Sequence, residues 1–69
     1  MNAPKPKYPG VVVQLSGQDG NAFMILGRVR KAMHGYGVPR EEIEKFVEEA
    51  MDGDYDEMLR TCVRWVQVR

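Results

Sequence analysis

Hydrophobic and polar positions along the chain follow two periods, one typical of helices and one typical of strands. Apolar residues recur every three to four positions in three stretches, which predicts three amphipathic helices: the first over Asn21–Gly35, the second starting at Pro39 and the third starting after Asp54. A β-branched run, Val11–Leu15, precedes them, and apolar residues alternate again over Trp65–Arg69. We therefore expect a small α+β domain with the order β-α-α-α-β, its terminal strands pairing beneath a three-helix layer.

The apolar stripe of each helix predicts which side chains form the core. In the first helix the stripe consists of Ala22, Ile25, Leu26, Val29, Ala32, Met33 and Tyr36. In the second it consists of Ile43, Phe46, Val47, Ala50 and Met51. In the third it consists of Tyr55, Met58, Leu59, Cys62, Val63 and Val66. Along the first strand, Val11, Val13 and Leu15 are expected to face inward because side chains alternate between the two faces of a sheet.

Residues with special backbone or capping properties mark the helix ends. Asn21 or Asp19 can cap the first helix, and the glycines of Gly35–Gly37 can end it with a left-handed residue. Pro39 suits the first turn of the second helix. Asp54, with Glu57 three residues later, fits the N-terminus of the third helix.

The two terminal strands predict self-association. The segment Trp65–Arg69 reads either as the end of the third helix or as a strand, and its alternation favours a strand that pairs with Val11–Leu15. Two strands alone make a poor sheet in water, and each leaves an unpaired edge. We therefore expect a homo-oligomer, dimeric or larger, that completes the sheet.

Length and composition predict one small cytoplasmic domain. The chain has 69 residues, which we divide into a flexible, basic, proline-rich arm over residues 1–9 and a globular domain over residues 10–69. Cys62 is the only cysteine, so no disulfide forms within the chain, which fits a reducing compartment. No apolar run is long enough to span a bilayer, and the start does not resemble a signal peptide, so no membrane partner is expected.

Charge is balanced overall but segregated along the chain. Six basic residues and one acid precede Glu41, whereas nine acids and one lysine lie in the range 41–57. Either these helix surfaces pair with each other, or a basic surface binds an anion and an acidic one binds a protein partner. The net charge of zero makes nucleic acid the less favoured partner.

Several side chains of the first and third helices have no obvious place in the core. Phe23 and Met24 lie off the stripe of the first helix, and Gly27 in its middle costs about 0.8–1 kcal/mol relative to alanine. A subunit contact, a flat ligand or simple packing on neighbouring elements would each explain this surface. The candidate ligand or interface residues are Phe23, Met24, Gly27, Arg28, Arg30, Lys31, His34, Arg60, Arg64 and Trp65. No nucleophile–base pair, metal-ligand cluster or cofactor motif is present, so we expect no enzyme, metal or cofactor.

Four sequence blocks carry a resemblance: Asp-Gly-Asn-Ala-Phe (19–23), Gly-Arg-Val (27–29), Gly-Asp-Tyr-Asp (53–56) and Arg-Trp-Val (64–66). Together they resemble a family of small uncharacterised proteins of phages and bacterial mobile elements, over residues 11–69. The family has no established activity, so the resemblance implies a phage-like context, and thus the host cytoplasm, but no site residues.

The resulting functional hypothesis is a phage-type accessory protein that acts by binding and serves in counter-defence. It would sequester an anionic, nucleotide-like host signal, with Phe23 or Trp65 stacking on the base and basic residues contacting the phosphates. The alternatives are an interaction module that inhibits or adapts a host enzyme through the acidic second helix, or a small nucleic-acid-associated factor.

Overall fold

A computed structural model describes residues 5–15 and 21–69 of the chain. Within these ranges the elements are β1 (Tyr8–Val13), α1 (Ala22–Tyr36), α2 (Arg40–Ala50), α3 (Tyr55–Trp65) and β2 (Val66–Val68). This confirms the predicted α+β order, strand, three helices, strand. Asp19, one of the two expected caps of the first helix, lies outside the described residues. No helix in the described ranges is both long enough and apolar enough to cross a membrane.

β1 and β2 pair in parallel and form the sheet of the described chain. The Cα partners are Tyr8 with Val66, Val12 with Gln67, and Val13 with Val68. α3 ends at Trp65, and the next residue begins β2, so the ambiguous C-terminal segment is a helix end followed directly by a strand.

β1 begins three residues earlier than the predicted strand and contains an irregularity between Tyr8 and Val12. Proline has no N–H to donate to a sheet ladder, which accounts for a break in pairing at Pro9. A β-carbon at Gly10 would collide with the Tyr36 ring, so glycine lets α1 approach the strand closely. The end of the predicted arm therefore belongs to the sheet.

Helix caps form at the residues that the sequence indicated. The Asn21 side chain accepts hydrogen bonds from the backbone N–H groups of Phe23 and Met24. Gly37 closes α1 in the left-handed conformation at φ 101°. The Asp54 carboxylate accepts from the Glu57 N–H at 2.9 Å and caps α3. Each cap satisfies backbone groups that a helix end leaves unpaired.

The core lies between the helices and the inner face of the sheet. Its buried apolar residues are Val11, Val13, Ile25, Leu26, Val29, Met33, Val38, Ile43, Phe46, Ala50, Met58, Cys62, Trp65 and Val66. Most of the predicted stripe positions are therefore confirmed as buried or partly buried.

Four stripe residues were predicted wrongly, because they are exposed. Tyr36 is 60% exposed at the end of α1, and Met51 follows the last residue of α2. The buried face of α3 is rotated about the helix axis relative to the predicted stripe. It consists of Met58, Thr61, Cys62 and Trp65, so Tyr55 and Val63 are exposed. Thr61, which the apolar pattern could not include, is buried, and its hydroxyl donates to the Glu57 carbonyl at 3.0 Å.

Candidate functional site

α1 and α2 enclose an open groove of about 700 Å³. The connection between them is short, residues 37–39, so the end of α1 lies beside the start of α2. The groove, called the basic groove below, is lined by Gly27, Arg30, Lys31, His34, Arg40, Ile43 and Glu44.

The α1 side of the basic groove follows from residue spacing. Gly27, Arg30, Lys31 and His34 occupy positions i, i+3, i+4 and i+7, which share one side of a helix. Apart from the adjacent residues and the backbone of α1 itself, no atom lies within 4 Å of where a β-carbon at Gly27 would stand. The helix backbone is thus directly accessible at the point where the groove begins.

The charges in the basic groove are unbalanced. Arg40 Nε lies 3.2 Å from Glu44 Oε2, so these two residues neutralise each other. Within the described part of the chain, no side-chain hydrogen bond or ion pair engages Arg30, Lys31 or His34. Two permanent positive charges and an imidazole therefore face an open groove without a counter-charge, which favours an anion there.

Of the ten candidate residues, the fold brings Gly27, Arg30, Lys31 and His34 together in the basic groove. Arg28 is exposed on the same helix but does not line it.

The two arginines of α3 pair with acids instead. Arg60 lies 3.2 Å from Glu57, and Arg64 lies 3.0 Å from Glu49 of α2. The alternative of paired helix surfaces thus describes Arg64, whereas Arg60 pairs within its own helix, and Arg30 and Lys31 pair with no described residue.

The apolar and aromatic candidates lie apart from the basic groove. Phe23 is 80% exposed and lines a different, apolar groove, while Met24 is exposed. Trp65 is only 7% exposed, because its ring packs between two other aromatic rings. It stacks on Tyr8, with 6.2 Å between the ring centroids, and meets Phe46 edge to face, with 5.9 Å between the centroids. Neither Phe23 nor Trp65 lines the basic groove.

Sequence reasoning missed the α2 side of the basic groove: Arg40, Ile43 and Glu44. A signal was available, since Gly37 and Pro39 predict a tight connection between two helices. Such a connection brings the first turn of the second helix beside the last turns of the first. Arg40 follows Pro39 directly and so was the residue to expect there.

Comparisons with known protein families, with curated proteins and with solved structures found no match to this chain.

Proposed function

We propose that this protein acts by binding and that the basic groove takes the anionic part of a nucleotide-like small molecule. The observation that carries the proposal is that Arg30 and Lys31, neither with a partner among the described residues, line one groove together with His34. Arg60 and Arg64, by contrast, each form an ion pair with a glutamate.

The chemistry of the groove suits phosphate groups. An arginine guanidinium can donate two parallel hydrogen bonds to a phosphate, and a lysine ammonium adds a mobile point charge. The bare backbone at Gly27 lets a ligand lie close to α1, while Ile43 supplies apolar contact across the groove. A binder of this kind can remove a signal from solution stoichiometrically, which is the role we propose in a phage-like counter-defence context.

A thermal-shift titration tests the proposal with tripolyphosphate and a panel of linear and cyclic nucleotides. A ligand that binds only the folded state raises the melting temperature, and a ligand at about 100 times its Kd adds about 2.7 kcal/mol of stability. We expect a rise that weakens with added salt, since the contacts are solvent-exposed and screened.

Matched variants locate the binding. Arg30→Gln and Lys31→Gln should each reduce the shift, whereas Lys5→Gln removes an exposed lysine that does not line the groove and should leave it unchanged. A flat response of the unmodified protein to the whole panel at millimolar concentration would disprove the proposed function. An equal loss of the thermal shift in all three variants would mean that the ligand is held by general charge attraction and not by the basic groove.

A second candidate function, inhibition or adaptation of a host protein, is favoured by the acidic side of α2. Glu48 and Asp52 line a groove beside Lys45, and their carboxylates have no partner among the described residues. Charge reversal at Glu48 should abolish capture of a basic partner from host lysate, while Arg30→Gln should not. Equal capture by the unmodified protein and the Glu48 variant would remove this candidate.

A further inference from the structure

A second surface, distinct from the basic groove, is apolar. Two neighbouring grooves share Tyr55, one of about 220 Å³ and the other of about 380 Å³. The first lies between the start of α1, the end of α2 and the start of α3, and its rim carries Phe23 and Met51. The second runs along α3 past Leu59 and Val63 towards the end of β2. We call the two together the apolar face.

The apolar face contains large side chains that the fold leaves in water. Phe23, Met51, Tyr55 and Val63 line it and are all exposed. Single exposed apolar residues are ordinary on protein surfaces, but a contiguous group indicates a contact surface.

We infer that a second copy of this chain covers the apolar face, with Phe23 of each protomer packed into the 220 Å³ recess of the other. Charge is the first reason to choose a second copy. A two-fold axis places the same patch on both sides of the interface, so a charged patch would face its like. The basic groove is unsuitable for that reason.

The apolar face avoids this repulsion. Among the described residues, the ionisable groups along it are Asp54, Tyr55 and Arg69. The Asp54 carboxylate is already engaged as the cap of α3, accepting the Glu57 N–H at 2.9 Å. Apart from Arg69, the remaining described lining is uncharged, so a mainly apolar partner surface is the best match, and the chain itself presents one.

Shape is the second reason. A protruding aromatic ring and a recess lie side by side on one face, which makes the face self-complementary under two-fold symmetry. A dry cavity of about 150 Å³ holds a benzene ring, so a recess of 220 Å³ has room for the phenyl group of Phe23.

Area is the third reason. A standard interface buries roughly 800 Å² on each partner, about a sixth of the 5055 Å² that this chain exposes. A 69-residue chain with no disulfide has a small core, so burial on this scale is a substantial addition to its stability.

Sedimentation velocity of the full chain from 1 to 500 µM tests the inference with two adjacent substitutions. Phe23→Glu places a charge in the proposed interface, while Met24→Glu places the same charge one residue later, at an exposed position that lines neither groove of the apolar face. Both positions lie in the first turn of α1, where an acid favours the helix, and circular dichroism verifies that both variants are folded.

We expect a dimer for the unmodified chain, the same dimer for Met24→Glu, and a dissociation constant at least tenfold higher for Phe23→Glu. A monomer at 500 µM for the unmodified chain would overturn the inference. So would an unchanged dimer in Phe23→Glu, which would locate the contact on another surface such as the strand edges. None of these outcomes bears on ligand binding in the basic groove, so the two proposals fail separately.

Discussion

The ammonium group of Lys7 lies 4.7 Å from the centre of the Trp65 indole ring. The same ammonium forms an ion pair with Glu42 of α2, and the Glu42 carboxylate also accepts a hydrogen bond from the Tyr8 hydroxyl at 3.0 Å. The hydrogen bond between the Lys7 ammonium and Glu42 raises the pKa of Lys7. One carboxylate of α2 thus anchors the first residues of the sheet over the end of α3.

The contact predicts an acid-sensitive component of stability that depends on Glu42. Two hydrogen bonds, chiefly the one from Lys7 and secondly the one from Tyr8, keep the pKa of Glu42 below its ordinary 4.5. A carboxyl whose pKa is depressed on folding stabilises the protein above its unfolded pKa and loses that contribution as pH falls through the folded value. Urea unfolding should therefore show stability declining below about pH 4.5, and Glu42→Gln should flatten that decline.

Glu41→Gln is the matched control for this pH prediction. Glu41 adjoins Glu42 but is exposed and has no partner among the described residues, so its loss should leave the acid profile unchanged. If Glu42→Gln and the unmodified chain lose stability in parallel between pH 5 and pH 3, the anchoring role of Glu42 is wrong.

Replacing Gly27 by alanine should stabilise the fold and weaken ligand binding. Because a β-carbon there meets no side chain and no other element, and the backbone is helical, Gly27→Ala should stabilise the fold by about 0.8–1 kcal/mol. The added methyl group should also weaken the tripolyphosphate thermal shift, since it occupies the point of closest approach to α1. Urea unfolding measures the first effect and the titration measures the second.

Gly35→Ala provides the control for Gly27→Ala. Gly35 is also helical and also has open space around its β-position, but it does not line the basic groove. The Gly35→Ala variant should gain less stability, because Gly35 lies in the last turn of α1, and this variant should keep the full thermal shift. Equal binding by both variants would mean that Gly27 has no role in ligand approach.

The elements of this fold were predictable from sequence because local rules specify them. Asn21, Gly37 and Asp54 act at helix ends through their own backbone and side-chain chemistry, which needs no tertiary context. Trp65 was harder to place, since it lies where helical spacing gives way to strand alternation. Its burial depends on Tyr8 and Phe46, which are distant in sequence.

The candidate site was predictable to the extent that one helix carries it. The spacing of Gly27, Arg30 and His34 in the sequence places them on one side of a helix, and Lys31 joins them in the structure. Ion pairs between helices could not be predicted from the sequence in the same way, because Arg64 and Glu49 come together only when α2 packs on α3. The distinction between paired and unpaired cations, on which the proposed function rests, therefore needed the three-dimensional structure.

The left-handed cap of α1 predicts a position where glycine is needed. Gly37 has φ 101°, and its N–H bonds the carbonyls of Met33 and His34. A β-carbon in this conformation costs roughly 1–2 kcal/mol, so Gly37→Ala should lower the free energy of unfolding by about that amount. Asparagine tolerates the conformation better, and Gly37→Asn should therefore lose less. Equal stability of Gly37→Ala and the unmodified chain in urea would contradict this assignment.

Cys62 predicts a thiol that reports unfolding. It lies fully buried on α3, and burial raises its pKa to about 11. The thiolate is the reactive form, so at pH 8 the folded protein should label slowly with a chromogenic disulfide reagent. Labelling should accelerate in urea along the unfolding curve, and Gly37→Ala should shift that acceleration to lower urea concentration because it populates the unfolded state more. Rapid labelling without urea, at the rate of a free peptide thiol, would mean that the core around Cys62 opens far more readily than its packing implies.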